Sequence, residues 1–167
     1  NETFPIRLRS NITIMGSGKE KTIIDAEKSS RVMIFNSVNN ITVKDLTIRG
    51  GYLGFYGIKN HGGGLLLINS NITLENIIIT ENSGWVGGGI SIKNSILNFN
   101  KDVSIINNRG LKWGAATAMF GNSKINGEYN INNNKVGIFD TFYNRRDEIA
   151  LVTKSRGRVN YKKHNAI

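Results

Sequence analysis

The sequence predicts an all-β solenoid, one chain wound so that parallel strands stack coil upon coil. Three features carry that expectation. The pattern Ile-x-x-Asn recurs at residues 79–82, 105–108 and 131–134, so the same interval separates each copy from the next. A fixed period of this size marks a stacked repeat. Glycine triplets open at Gly62 and Gly87, close to that interval, and a third copy keeps small size as Gly114-Ala115-Ala116. Finally, Ile41 and Val43 alternate with Thr42 and Lys44, and Ile72 and Leu74 with Thr73 and Glu75. A period of two gives each strand one buried and one wet face.

The repeat is a strand repeat because of its composition. It is rich in Ile, Val and Thr, whose branched side chains are stiff and pack well on a pleated surface. Its apolar runs are short and end at Gly, Asn or Ser. Three strands and three turns fill ~25 residues at ordinary strand length. Neighbouring coils then lie about 4.8 Å apart. Equivalent side chains form columns: Ile79, Ile105 and Ile131 inside, and Asn82, Asn108 and Asn134 at a corner. Asn accepts left-handed backbone angles, and its amide can bond its own copy one coil away. The glycines are expected at a corner too tight for a Cβ.

Along the chain, residues 4–25 hold an alternating strand at Ile12-Thr13-Ile14. A Gly16-Ser17-Gly18 corner follows, then a second strand at Thr22-Ile23-Ile24-Asp25. Residues 31–49 repeat this logic, with Val32, Ile34, Ile41, Val43, Leu46 and Ile48 as the inward set. Asn-Ile-Thr occurs at Asn11, Asn40 and Asn71, each time at a strand start. It reads as turn asparagine before a β-branched pair, and also as a glycosylation acceptor in a secretory eukaryote.

Residues 50–61 break the period. The step from Ile48 to Ile79 is longer than the later spacing. The surplus is an insertion carrying Tyr52, Phe55, Tyr56 and His61, and solenoid insertions often form the binding face. Trp85 and Trp113 stand just before the small-residue corner of two successive coils. Their rings are a candidate stacking platform. Residues 139–167 lose both the triplet and the asparagine. They read as an atypical capping coil with charged edges, in which Ile149, Leu151 and Val159 keep strand character. Arg145, Arg146, Arg156, Arg158, Lys162 and Lys163 make it a candidate polyanion-binding segment.

The small-residue corner paired with Ile-x-x-Asn resembles the GGA[ILV] and FxxN repeats of the polymorphic outer membrane proteins. Here Ile stands for Phe, and Gly or Ala fills the third small position. Residues 4–25 resemble the early coil of the pectin-lyase-like superfamily. The resemblance implies a right-handed parallel β-helix in a secreted or surface-anchored protein.

At 167 residues a single domain of six or seven coils is expected. Residues 1–138 would be the regular coils and 139–167 the cap. There is no Cys and no apolar run long enough to span a bilayer. The N-terminus has no signal-peptide pattern, so the chain reads as a fragment of a longer secreted protein. The net charge of +10 raises a polyanion partner, although the basic residues are spread along the chain.

Acids are scattered. Asp45 and Glu75, at near-equivalent places on successive coils, are the one pair that can be constructed for catalysis, with His61 as a further candidate. Two His and no Cys argue against a zinc site. No nucleophile elbow and no P-loop are present. No cofactor, no metal and no nucleic-acid partner are expected.

The function expected is therefore an extracellular structural or adhesive module. It would bind carbohydrate or another surface protein through Tyr52, Phe55, Tyr56, Trp85 and Trp113. The alternative is a carbohydrate-active enzyme with a groove near Asp45, Glu75, Tyr52 and His61.

Overall fold

A computed structural model describes residues 2–54 and 60–136, together with the backbone of the strand Ile149–Val152. It is a parallel β-solenoid of about five turns with no helix among the described residues. The first sheet runs β1 (Ile6–Arg7), β4 (Met33–Asn36), β6 (Leu65–Ile68), β9 (Ile90–Lys93), β12 (Thr117–Phe120) and β16 (Ile149–Val152). The second holds β2 (Ile12–Met15), β3 (Ile23–Asp25), β5 (Asn39–Arg49), β7 (Asn71–Thr80), β10 (Ile96–Ile106), β13 (Lys124–Asn126) and β14 (Asn130–Asn132). The third is β8 (Ser83–Val86), β11 (Arg109–Trp113) and β15 (Lys135–Val136). Every pairing is parallel.

Equivalent residues sit directly above one another. Ile131 pairs with Ile105, Ile105 with Ile79, Ile79 with Ile48, and Ile48 with Ile24. The expected column thus extends by two coils below Ile79. Ile48, Ile79 and Ile105 are fully buried. Each such side chain is worth roughly 1.5–3 kcal/mol of burial. A second column, Ile41, Ile72 and Leu97, and a third, Phe35, Leu67, Ile92 and Met119, line the interior together with further columns such as Leu46, Ile77 and Val103.

The long strands β5, β7 and β10 bend in mid-course at Asp45, Asn76 and Lys101, whose φ values are 58°, 49° and 56°. Each therefore serves two faces of the tube. Among the described residues, seven of the thirteen non-glycine residues at positive φ are Asn, and they recur at the corners. Asn carries a smaller left-handed penalty than most residues with a side chain, because its short amide can bond the local backbone.

The buried asparagine column is the strongest feature of the corners. Asn82 and Asn108 are each 1 % exposed and Asn134 is 8 %. The backbone N–H and side-chain Nδ2 of Asn82 both donate to Asn108 Oδ1, at 3.0 and 3.1 Å. Asn108 repeats the pair onto Asn134 Oδ1 at 2.9 and 3.0 Å. Nδ2 of Asn108 also donates to the carbonyls of Ile79 and Ile106. Each amide thus closes its own corner and ties two coils together.

The glycine corner lies against this column. A Cβ at Gly88 would overlap the carbonyl of Arg109, and one at Gly89 would come within 3.1 Å of Asn108 Nδ2. Ala115 and Ala116, both fully buried, fill the same place in the next coil.

Two expectations are corrected. In β4 it is Met33 and Phe35, both fully buried, that face inward beside Val32, while Ile34 is half-buried on the outer face. A run of apolar residues carries no alternation from which to read its phase. The described residues also form about five turns, where six or seven coils were expected of the whole chain. The step from Met33 to its partner Leu65 is longer than that from Ile79 to Ile105, so a coil can absorb more chain than the shortest repeat implies.

Removing the Asn108 amide leaves buried backbone groups of two coils without partners, at about 1–3 kcal/mol for each orphaned group. Asn108→Ala is therefore expected to lower stability in a urea melt by about 3 kcal/mol or more. Asn122→Ala, at an exposed position, is expected to change it by less than about 0.5 kcal/mol.

Candidate functional site

The outer face of the third sheet gathers most of the aromatic candidates. Along β8 and β11 the small residues Gly84 and Gly110 turn inward, because the tube is narrow here. A Cβ on Gly110 would lie 3.0 Å from the backbone of Ala115. Their neighbours turn outward. Tyr52 bridges to Ser83, Ser83 pairs with Arg109, and Arg109 pairs with Lys135. Four successive coils thus contribute one residue each to a column of phenol, hydroxyl, guanidinium and ammonium.

Trp85 and Trp113 stand beside that column on adjacent strands. They are not equivalent copies. An irregularity in β11 between Gly110 and Trp113 sets Trp113 opposite Val86. The interval between the tryptophans is longer than that between Asn82 and Asn108, and it already carries this offset. Lys112 lies between the two rings, its Nζ 4.3 Å from the Trp113 centroid and 5.9 Å from that of Trp85. A cation over an indole face is attracted by the ring quadrupole. Trp113 remains 41 % exposed.

Arg109, Lys112 and Lys135 were not singled out by sequence reasoning, since a full coil of chain separates the first from the last. The winding brings them together. All three are exposed, and none belongs to an ion pair among the described residues. The ion pairs Lys19–Asp102, Arg49–Asp25 and Lys101–Glu75 lie on other faces. At the Arg49 pair, the backbone N–H of Glu27 and then the guanidinium hold the Asp25 carboxyl below its usual range.

The candidate acids are engaged in the stack itself. Asp45 accepts a hydrogen bond from Asn76 at 2.8 Å. Glu75 accepts from Asn100 at 3.0 Å and pairs with Lys101 at 3.0 Å. In register, Glu75 stands opposite Lys44, with Leu46 opposite Ile77 as the offset across the insertion requires.

His61 bridges to Val86, and its ring stacks on Phe120 with centroids 5.0 Å apart. Burial first, then the charges of Arg31 and Lys93, hold the imidazole pKa below its ordinary value. Phe55 and Tyr56, and Arg145, Arg146, Arg156, Arg158, Lys162 and Lys163, lie outside the described residues. Among the described residues no group of three or more His, Cys, Asp or Glu is placed to hold a metal ion. No described helix is long and apolar enough to cross a membrane.

The chain is 33% identical over 94 residues to Metabotropic glutamate receptor-like protein P of Dictyostelium discoideum. The match covers 54% of this chain and 7% of that protein, so the chain corresponds to a small part of its length. No family model matches the chain, and no solved structure matches it.

His61 makes stability depend on pH. Its folded pKa lies below the unfolded value of about 6.5. The unfolded chain therefore takes up the proton first on acidification. The stability associated with neutral His61 is complete above pH ~6.5 and is lost as pH falls through the folded pKa. Urea melts between pH 7.5 and 5 are expected to show this decline, and His61→Gln is expected to remove it.

Proposed function

We propose that the chain is an extracellular, structural and adhesive β-helix module that binds carbohydrate on a partner surface through the outer face of its third sheet. One observation carries this reading. A rigid tube presents Tyr52, Trp85 and Trp113 on a single face, beside three cations that form no ion pair among the described residues. Aromatic rings offer large, stiff contact area at low entropic cost, with a polar edge for hydrogen bonding. Sugar rings are suited to them, with C–H groups against the π-face and hydroxyls at the edge.

The coil itself supports the same reading. Its buried polar groups and acids are largely used to bond one coil to the next, which suits a scaffold that holds a surface in place. A right-handed winding of the pectin-lyase-like kind is inferred as well, because parallel crossovers are overwhelmingly of that hand.

A glycan array followed by calorimetry on the best ligand tests the proposal. Trp113→Ala and Tyr52→Ala are each expected to weaken binding about tenfold, the loss of one aromatic contact of ~1–1.5 kcal/mol. Binding that is unchanged in both variants would place the ligand on another face.

A further inference from the structure

The column on the third sheet is polar in a second sense, because its character changes from one end to the other. Its lower members, Tyr52 and Ser83, carry neutral hydroxyls. Its upper members, Arg109 and Lys135, carry positive charge and are direct partners in register. Parallel neighbours lie about 4.8 Å apart, so both side chains leave the same face from adjacent backbone positions. Like charges placed directly opposite in a sheet repel and destabilise it. Elsewhere the stack avoids that arrangement: Lys44 stands opposite Glu75, and Asn11 bonds Asn40. Lys112 adds a third charge, held against the Trp113 ring. Glu81, two residues before Ser83, enters no ion pair with any of them.

An anion seated between Arg109 and Lys135 would turn the repulsion into attraction. A tetrahedral oxyanion suits the place better than a planar carboxylate. Its three terminal oxygens diverge, so it can accept from a guanidinium on one coil and an ammonium on the next at once. Charge-assisted bonds of this kind are the strong ones. We propose that this face takes a saccharide bearing a sulfate or phosphate ester. Its ester lies between Arg109 and Lys135 within reach of Lys112, a sugar ring lies against Trp113, and its uncharged end points toward Ser83 and Tyr52. The inference rests on the carbohydrate reading above and adds the chemical class and the direction of the ligand along the tube.

The test is calorimetry with one disaccharide in three forms: unsubstituted, sulfated and phosphorylated. A charged form is expected to bind at least tenfold more tightly than the unsubstituted one, with an advantage that shrinks as salt is raised. Arg109→Gln and Lys135→Gln, both at exposed positions, are each expected to reduce that ratio severalfold, and the double variant to abolish it. Trp113→Ala is expected to weaken all three forms alike. The tighter of the two esters identifies the natural anion.

Equal binding of all three forms, or a ratio that survives the double variant, overturns the inference and leaves the carbohydrate reading standing. Binding of none of them to this face removes both. A single-stranded oligonucleotide that binds the same residues more tightly than any saccharide also overturns it.

Discussion

The side-chain amide that bonds its own copy in the next coil is the constraint on which the rest of the structure depends. Asn82, Asn108 and Asn134 sit almost without exposure at a corner where the N–H groups of Asn82 and Asn108 find their partner in a side chain and not in a strand. An unsatisfied buried amide or carbonyl is costly, so such a corner needs a donor and an acceptor at a fixed place. Asparagine supplies both on a short stem. Because Oδ1 of one copy receives two donors from the copy below, a register shift by one residue would break several bonds at once. The isoleucine columns give burial, but burial is non-directional. The amides make one alignment better than its neighbours.

That alignment determines where function can sit. With inward positions given to apolar columns and corners to Asn and Gly, variation is confined to outward positions. On the second sheet these are filled by Asn, Lys, Glu and Thr that bond across coils, such as Asn71 with Asn98 and Asn98 with Asn126. The third sheet differs. Its outward column mixes phenol, hydroxyl, guanidinium and ammonium, its cations form no ion pair among the described residues, and rings flank it. A surface that presents exposed cations beside aromatic rings, on a backbone held this firmly, is suited to binding.

Much of the architecture was legible because it repeats. The regular recurrence of Ile-x-x-Asn gave the vertical neighbours, and the longer interval from Ile48 to Ile79 gave the pairing of those two residues. The phase of β4 was not legible, since Val32, Met33, Ile34 and Phe35 are all apolar and only packing decides which face the core. The candidate acids Asp45 and Glu75 illustrate a different limit. The offset that aligns Leu46 with Ile77 was read correctly, but it sets Glu75 opposite Lys44 and not Asp45, and the groups that engage each acid, Asn76, Asn100 and Lys101, come from coils above. Arg109, Lys112 and Lys135 were missed for the same reason. A site assembled across coils has no signature within any one repeat. Only the departure of the tryptophan spacing from the asparagine recurrence hinted at the irregularity that brings Lys112 against Trp113.

Native-state hydrogen exchange of the Asn82 and Asn108 backbone amides reads the central constraint directly. Each amide donates to the side chain of the next asparagine and to no strand partner, so its protection reports the column alone. Both are expected to exchange only with global unfolding, as slowly as the core amides of β7 and β10. Exchange at the rate of an exposed turn would contradict this, because the coils would then be stacked without the bonds said to align them.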